Sequence, residues 1–206
     1  MKHFRPHSKA PGSVGTPRII IGLDPGSLNF GYGIVDFEGN DPRVVDYGVV
    51  RLAGRGDFAS RLFEIEKQLE IVFAAHSPTM VSVEEIFHHK NVKSAITLSH
   101  ARAVGILAAV RSGAVLRQYS PRKIKLSVTG SGGADKKQVR RMVCRILKIS
   151  NEKLALDASD ALAAALCACY DRVSPAGNAA PAGVAGRRRW DLDAIRRRGI
   201  RIVGGT

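Results

Sequence analysis

Apolar and polar residues alternate along this chain in blocks that change period, and the blocks predict a succession of elements. Ile19-Ile20-Ile21-Gly22-Leu23-Asp24 is an apolar run halted by Pro25-Gly26-Ser27, the signature of a buried strand and a turn. Phe30 to Phe37 predicts a second strand, with turn residues from Glu38 to Pro42. Val44 to Leu52 predicts a third, and the short Gly-containing connections suggest an antiparallel meander. Leu62, Ile65, Leu69, Val72 and Phe73 then recur at helical spacing. Met80 to Val83 predicts a fourth strand ending at Glu84-Glu85. Reached through a helix, it should lie parallel to the first. Val92 to Val110 is helical and apolar on nearly every side, which fits either a core helix or a dimer interface. Ala114 to Tyr119 predicts a fifth strand, Pro121 the start of a short helix, and Gly130 to Gly133 a flexible loop. Lys136 to Ile149 predicts a basic amphipathic helix, and Asp157 to Tyr170 an Ala-rich one. The expected fold is α/β, with a mixed five-stranded sheet flanked by helices.

The ends differ from this middle. Residues 1–17 are rich in His, Lys, Pro, Gly and Ser and predict a disordered extension. A single domain of ordinary size is expected over 18–173. Residues 174–186 have a Pro/Gly/Ala linker composition, and the rest up to 206 form an Arg-rich tail. The tail suggests nonspecific affinity for a polyanion such as DNA through its arginines, or a docking segment. No apolar run is long enough for a membrane span, and the basic N-terminus has no signal-peptide core. Three cysteines, Cys144, Cys167 and Cys169, do not form a paired framework and fit a reducing, cytoplasmic setting.

Composition adds a net charge of +14, which points to a polyanionic partner. The charge is segregated. Ile19 to Ile86 holds 5 basic and 11 acidic residues, whereas Arg102 to Lys148 holds 12 basic residues and one acid, Asp135. Arg117, Arg122, Lys123, Lys125, Lys136, Lys137, Arg140 and Arg141 are candidate phosphate contacts. Lys136 reads equally well as an exposed cation.

The acids offer chemistry. Asp24 ends one buried strand and Glu84 another, while Asp157 and Asp160 stand three apart at the start of a helix, on one face. Carboxylates at buried strand ends are costly unless compensated, and a hard divalent cation such as Mg²⁺ compensates them well. Each acid also has a plain reading: Asp24 as a turn residue, Asp157 as a helix cap, Asp160 as a favourable first-turn charge, Glu84 as a solvated strand end.

Together these residues carry a resemblance. Ile21-Gly22-Leu23-Asp24-Pro25-Gly26-Ser27 with Gly31-Tyr32-Gly33, then Val83-Glu84-Glu85-Ile86-Phe87 with Lys90-Asn91, Ser94-Ala95 and Ala101-Arg102, then Asp157-Ala158-Ser159-Asp160-Ala161-Leu162-Ala163, resemble the three motifs of the RuvC Holliday junction resolvases. The resemblance spans about residues 18–172. It implies an RNase H-like fold and a homodimer that makes paired symmetric nicks across a four-way DNA junction, leaving 5′-phosphate and 3′-hydroxyl ends. It also implies a two-ion Mg²⁺ site (Mn²⁺ as an alternative) on Asp24, Glu84, Asp157 and Asp160, and cooperation with a branch-migration complex. It places a base-stacking aromatic at Phe87, for which a core position is the rival reading, and supportive lysines at Lys125 and Lys136. Two alternatives stay open: another RNase H-like nuclease, and a junction-binding protein that does not cut. An actin-like phosphotransferase, suggested by Asp24-Pro25-Gly26-Ser27, would need a second domain for which this chain has no room.

Overall fold

The computed structural model describes residues 19–38, 41–85, 92–150 and 154–171. Five strands and five helices follow in order: β1 (Ile19–Asp24), β2 (Asn29–Glu38), β3 (Asp41–Arg51), α1 (Phe58–His76), β4 (Met80–Glu84), α2 (Val92–Ser112), β5 (Val115–Tyr119), α3 (Pro121–Thr129), α4 (Lys136–Leu147) and α5 (Leu156–Tyr170). They form one mixed sheet in the order β3-β2-β1-β4-β5. β1, β2 and β3 are the antiparallel meander expected from the sequence, and β4 lies parallel to β1. The α/β architecture matches the expectation.

Alternation along the strands sorts side chains to two faces. Ile21, Leu23, Phe30, Ile34, Val81 and Val83 face α1 and α2 in one buried cluster. Ile20, Val35, Phe37 and Tyr119 face α3, α4 and α5 in another. Asp24 shares its side of β1 with Ile20 and Gly22, and Glu84 shares its side of β4 with Ser82. Both acids therefore belong to the α5 face.

At Gly22 and Gly31 the backbone of α5 lies directly on the sheet. A β-carbon at Gly22 would collide with the carbonyl oxygen of Ala161, and one at Gly31 with that of Asp157. Ser82, fully buried, donates its hydroxyl to the Ala164 carbonyl at 2.7 Å. That bond satisfies a polar group that burial would otherwise penalise. α5 is accordingly built from Ala, Cys and Leu, nearly all buried, with the free thiols Cys167 and Cys169 among them as expected.

Local chemistry starts α1, α3 and α4. Asp57 caps α1 by accepting from the Ser60 amide at 2.8 Å, Ser120 caps α3 ahead of Pro121, and Asp135 and Gln138 form a reciprocal capping box on α4. Two expectations are corrected. β3 begins at Asp41 and includes Pro42, assigned to a turn in the sequence reading; β3 is an edge strand, where a missing amide proton costs little. α2 is not a central core helix: Ala101, Gly105, Ala108 and Ala109 are buried, while Val92 is 72% exposed and Ile96 53%.

Candidate active site

The parallel pairing of β1 with β4 runs to Leu23↔Val83, so Asp24 and Glu84 are the next residues, side by side where the two strands end. α5 crosses this point and brings Asp160. Asp24, Glu84 and Asp160 line one cleft of about 200 Å³, closed on its other sides by Pro121, Ile124 and Lys125 of α3 and by Lys136 and Val139 of α4. The Lys136 Nζ lies 3.0 Å from an Asp160 carboxylate oxygen. Five elements thus deliver three acids and two lysines to one depression.

Asp157 stands one turn before Asp160 on α5. It is near enough for its charge to act on Asp24, but its side chain does not line the cleft. It is not the helix cap considered from the sequence either. The cap position is Ala155, whose side chain makes no capping bond.

Electrostatics show that this is a crowded negative site. Burial first, then the charges of Asp160, Glu84 and Asp157, push the Asp24 carboxyl up to about 8, against the pull of Lys136. Glu84 is raised as well, by burial and then by Asp160, while Lys136 and Lys125 pull it down. Lys136 is held in its charged form chiefly by its bond to Asp160. One ammonium does not offset the acids around it, and the surplus suits added positive charge. The donors are hard carboxylate oxygens, the ligand type that Mg²⁺ and Mn²⁺ prefer, so the residues fit a divalent cation. Among the described residues no three His, Cys, Asp or Glu side chains are already gathered as a metal cage; Asp160 is turned to Lys136.

The remaining sequence candidates scatter. Lys125 and Lys136 line the cleft. Lys123, two residues from Lys125 on α3, has its Nζ 2.7 Å from Asp171 and over the Tyr119 ring. It clasps α3 to the end of α5 instead of facing the cleft. Arg140 is half-buried on α4 and acts on Cys144. Lys137 is exposed on α4. Phe87, with His88, His89 and Lys90, lies outside the described residues.

One positioning contact was not anticipated. Arg102 of α2 donates from Nε to the Glu84 carbonyl at 3.0 Å and bonds the Gln118 side chain. The charge of Glu85 acts on the same guanidinium, so the two adjacent acids have separate surroundings: Glu84 the cleft, Glu85 the Arg102 side. The signal available in the sequence was the arginine itself, in a helix otherwise dominated by small and apolar residues.

Comparison with known proteins adds an independent line. Residues 20–168 match the family model described as "Crossover junction endodeoxyribonuclease RuvC". A protein of that name from Chloroherpeton thalassium is 42% identical over 160 residues, covering 78% of this chain and 86% of the relative. The structure of Thermus thermophilus RuvC superposes with a TM-score of 0.68 at 30% identity, covering 75% of this chain and 95% of the other. A second structure, of T. thermophilus RuvC in complex with a Holliday junction substrate, gives a TM-score of 0.67 at 28% identity, with the same coverage.

Proposed function

Because the chain belongs to the RuvC family of crossover junction endodeoxyribonucleases, we propose that it resolves four-way DNA junctions by hydrolysing phosphodiester bonds at symmetric positions in two strands. The observation that carries the reading is the convergence of Asp24, Glu84 and Asp160 on one cleft that Lys125 and Lys136 also line.

In this reading Asp24, Glu84 and Asp160, with Asp157 supporting through its charge, hold Mg²⁺ or Mn²⁺. When bound, such ions lower the pKa of water to yield a nucleophile and stabilise charge on the leaving oxygen. The chain's own contributions are the fixed positions. β1 and β4 hold Asp24 and Glu84 at neighbouring strand ends, and Arg102 fixes the Glu84 backbone. Lys136 keeps its proton through Asp160 and presents a cation where a phosphate gathers negative charge in the transition state. Lys125 offers a second cation on the same side. Phe87 stands three residues past Glu84 in the chain, a reach of at most about 10 Å. We assign it the stacking of an unpaired base at the crossover, an interaction worth about 1–3 kcal/mol.

A four-way junction presents two equivalent strands, and a two-fold dimer presents two equivalent sites. Phe63 on α1 and Val92 and Ile96 on α2 are exposed apolar residues, and they support a homodimer using that side of the sheet. Cleavage of a synthetic four-way junction with Mg²⁺ by the wild type and by Asp24→Asn tests the function. Paired nicks by the wild type and binding without nicking by the variant are expected. Equal residual cutting by the variant, or preference for linear duplex or RNA, would overturn the assignment.

A further inference from the structure

α4 carries more positive charge than its fold requires. Lys136 and Lys137 occupy its first turn, where the helix dipole disfavours cations, and no acid in that turn offsets them. Lys136 is accounted for by Asp160 in the cleft. Lys137, Arg141 and Arg145 are not. They recur every fourth residue and form one line along the exposed side of α4, while Val139, Val143, Cys144 and Leu147 turn to the core. Like charges at that spacing destabilise a helix. Among the described residues, none of the three is in an ion pair.

Arg141 and Arg145 also border, with Gln138, Thr129 and Ser131, an open cavity of about 590 Å³ between α4 and the turn after α3. It is separate from the cleft of the acids: the two share no lining residue. The line runs for about 12 Å along the helix. Laid along a duplex, that length spans roughly three to four phosphate steps of one strand.

We propose that Lys137, Arg141 and Arg145, with the adjoining cavity, form a second nucleic-acid contact that holds the phosphate backbone of a duplex arm after it leaves the cleft. The proposal rests on the junction-cutting reading above and deepens it. α4 starts at the cleft, where Lys136 meets Asp160, and leads away from it. Lys137 follows Lys136 directly in the first turn of α4, so the line begins within one residue of the cleft. Arginine forks match phosphate oxygens two at a time, and such contacts fix the path of an arm without reading its sequence.

The test is binding of the full-length protein to a synthetic four-way junction without divalent ions, across a range of salt concentrations. The wild type is compared with the triple variant Lys137→Gln/Arg141→Gln/Arg145→Gln. Each phosphate contact contributes about 0.9 to the slope of log affinity against log salt, so the variant's slope is expected to be shallower by about 2 to 3. Its Tm is expected to be no lower than wild type, because glutamine keeps helix propensity and the repulsion along the line is relieved. A slope equal to wild type overturns the proposal and leaves this face to another partner, such as an acidic protein surface. A wild type that binds the junction but never cuts it overturns the resolvase reading instead, while the two slopes still decide this one.

Discussion

The two faces of the sheet are packed by different means, and the difference separates stability from placement. Towards α1 and α2, bulky side chains such as Phe30, Leu52, Ile65, Leu69 and Phe73 fill the space between layers. Such a layer adjusts when one side chain changes, because its neighbours can repack. Towards α5 side chains such as Ile20, Val35, Leu162 and Leu166 are also buried, but near the acids Gly22 and Gly31 let the helix backbone rest on the strands, and Ser82 bonds a helix carbonyl directly. The second face therefore acts as a gauge that sets the distance between Asp160 on the helix and Asp24 and Glu84 on the strands. The first face supplies cohesion, the second supplies registration of the acids.

That contrast can be broken most severely at the gauge. Gly22→Val drives a side chain into the Ala161 backbone, and α5 has to lift. Junction cleavage per folded molecule is expected to fall by 10²-fold or more, roughly what a 1 Å misplacement costs. A variant that stays folded by circular dichroism and still cuts at the wild-type rate would show that α5 does not set the site. Next in size is Lys136→Met, expected to lower the single-turnover rate by about 10²-fold, in line with loss of one preorganised charge partner. An unchanged rate at saturating junction would place Lys136 outside the chemistry.

Leu69→Ala on the opposite face should do the reverse. It should cost about 2–5 kcal/mol in denaturant unfolding and leave the cleavage rate of the folded fraction near wild type. A rate loss as large as at Gly22 would erase the distinction between the faces.

The smallest effect is one of pH. Asp24 holds its proton up to about 8 in the folded protein, while the unfolded chain loses it near its ordinary value of about 4. The folded state thus binds more protons between those limits, and stability falls as pH rises through that window. Without divalent ions, the Tm of Asp24→Asn should exceed that of wild type by an amount that grows from pH 5 to pH 8, on the order of 5 °C at the upper end. Added Mg²⁺ should narrow the gap by binding the wild type. A gap independent of pH would contradict the crowding of acids around Asp24.

Much of this was legible in the chain because strand alternation and helical period report burial directly. Ile19–Asp24 and Met80–Val83 read as strands, with Asp24 and Glu84 at their ends. What was not legible concerns contacts between elements. Nothing local distinguishes Lys123 from Lys125. Only the position of Asp171 and Tyr119, dozens of residues away, ties the first to a structural clasp and leaves the second in the cleft. The i, i+3 spacing put Asp157 and Asp160 on one face of α5 but did not reveal that only Asp160 lines the cleft. Pro42 reads as a turn residue until β3 is known to be an edge. The apolar α2 suggested a core helix or an interface, and periodicity had no means of choosing. Gly22 and Gly31 looked like motif residues, and their role became visible only with Ala161 and Asp157 set against them.

The central claim is that Asp24, Glu84 and Asp160 form one divalent-cation site. It is tested most directly by anomalous X-ray scattering from crystals soaked in Mn²⁺. The account predicts manganese peaks bounded by these three carboxylates in the wild type, lost or displaced in Asp24→Asn. Manganese bound elsewhere, with no peak in the cleft, would contradict it.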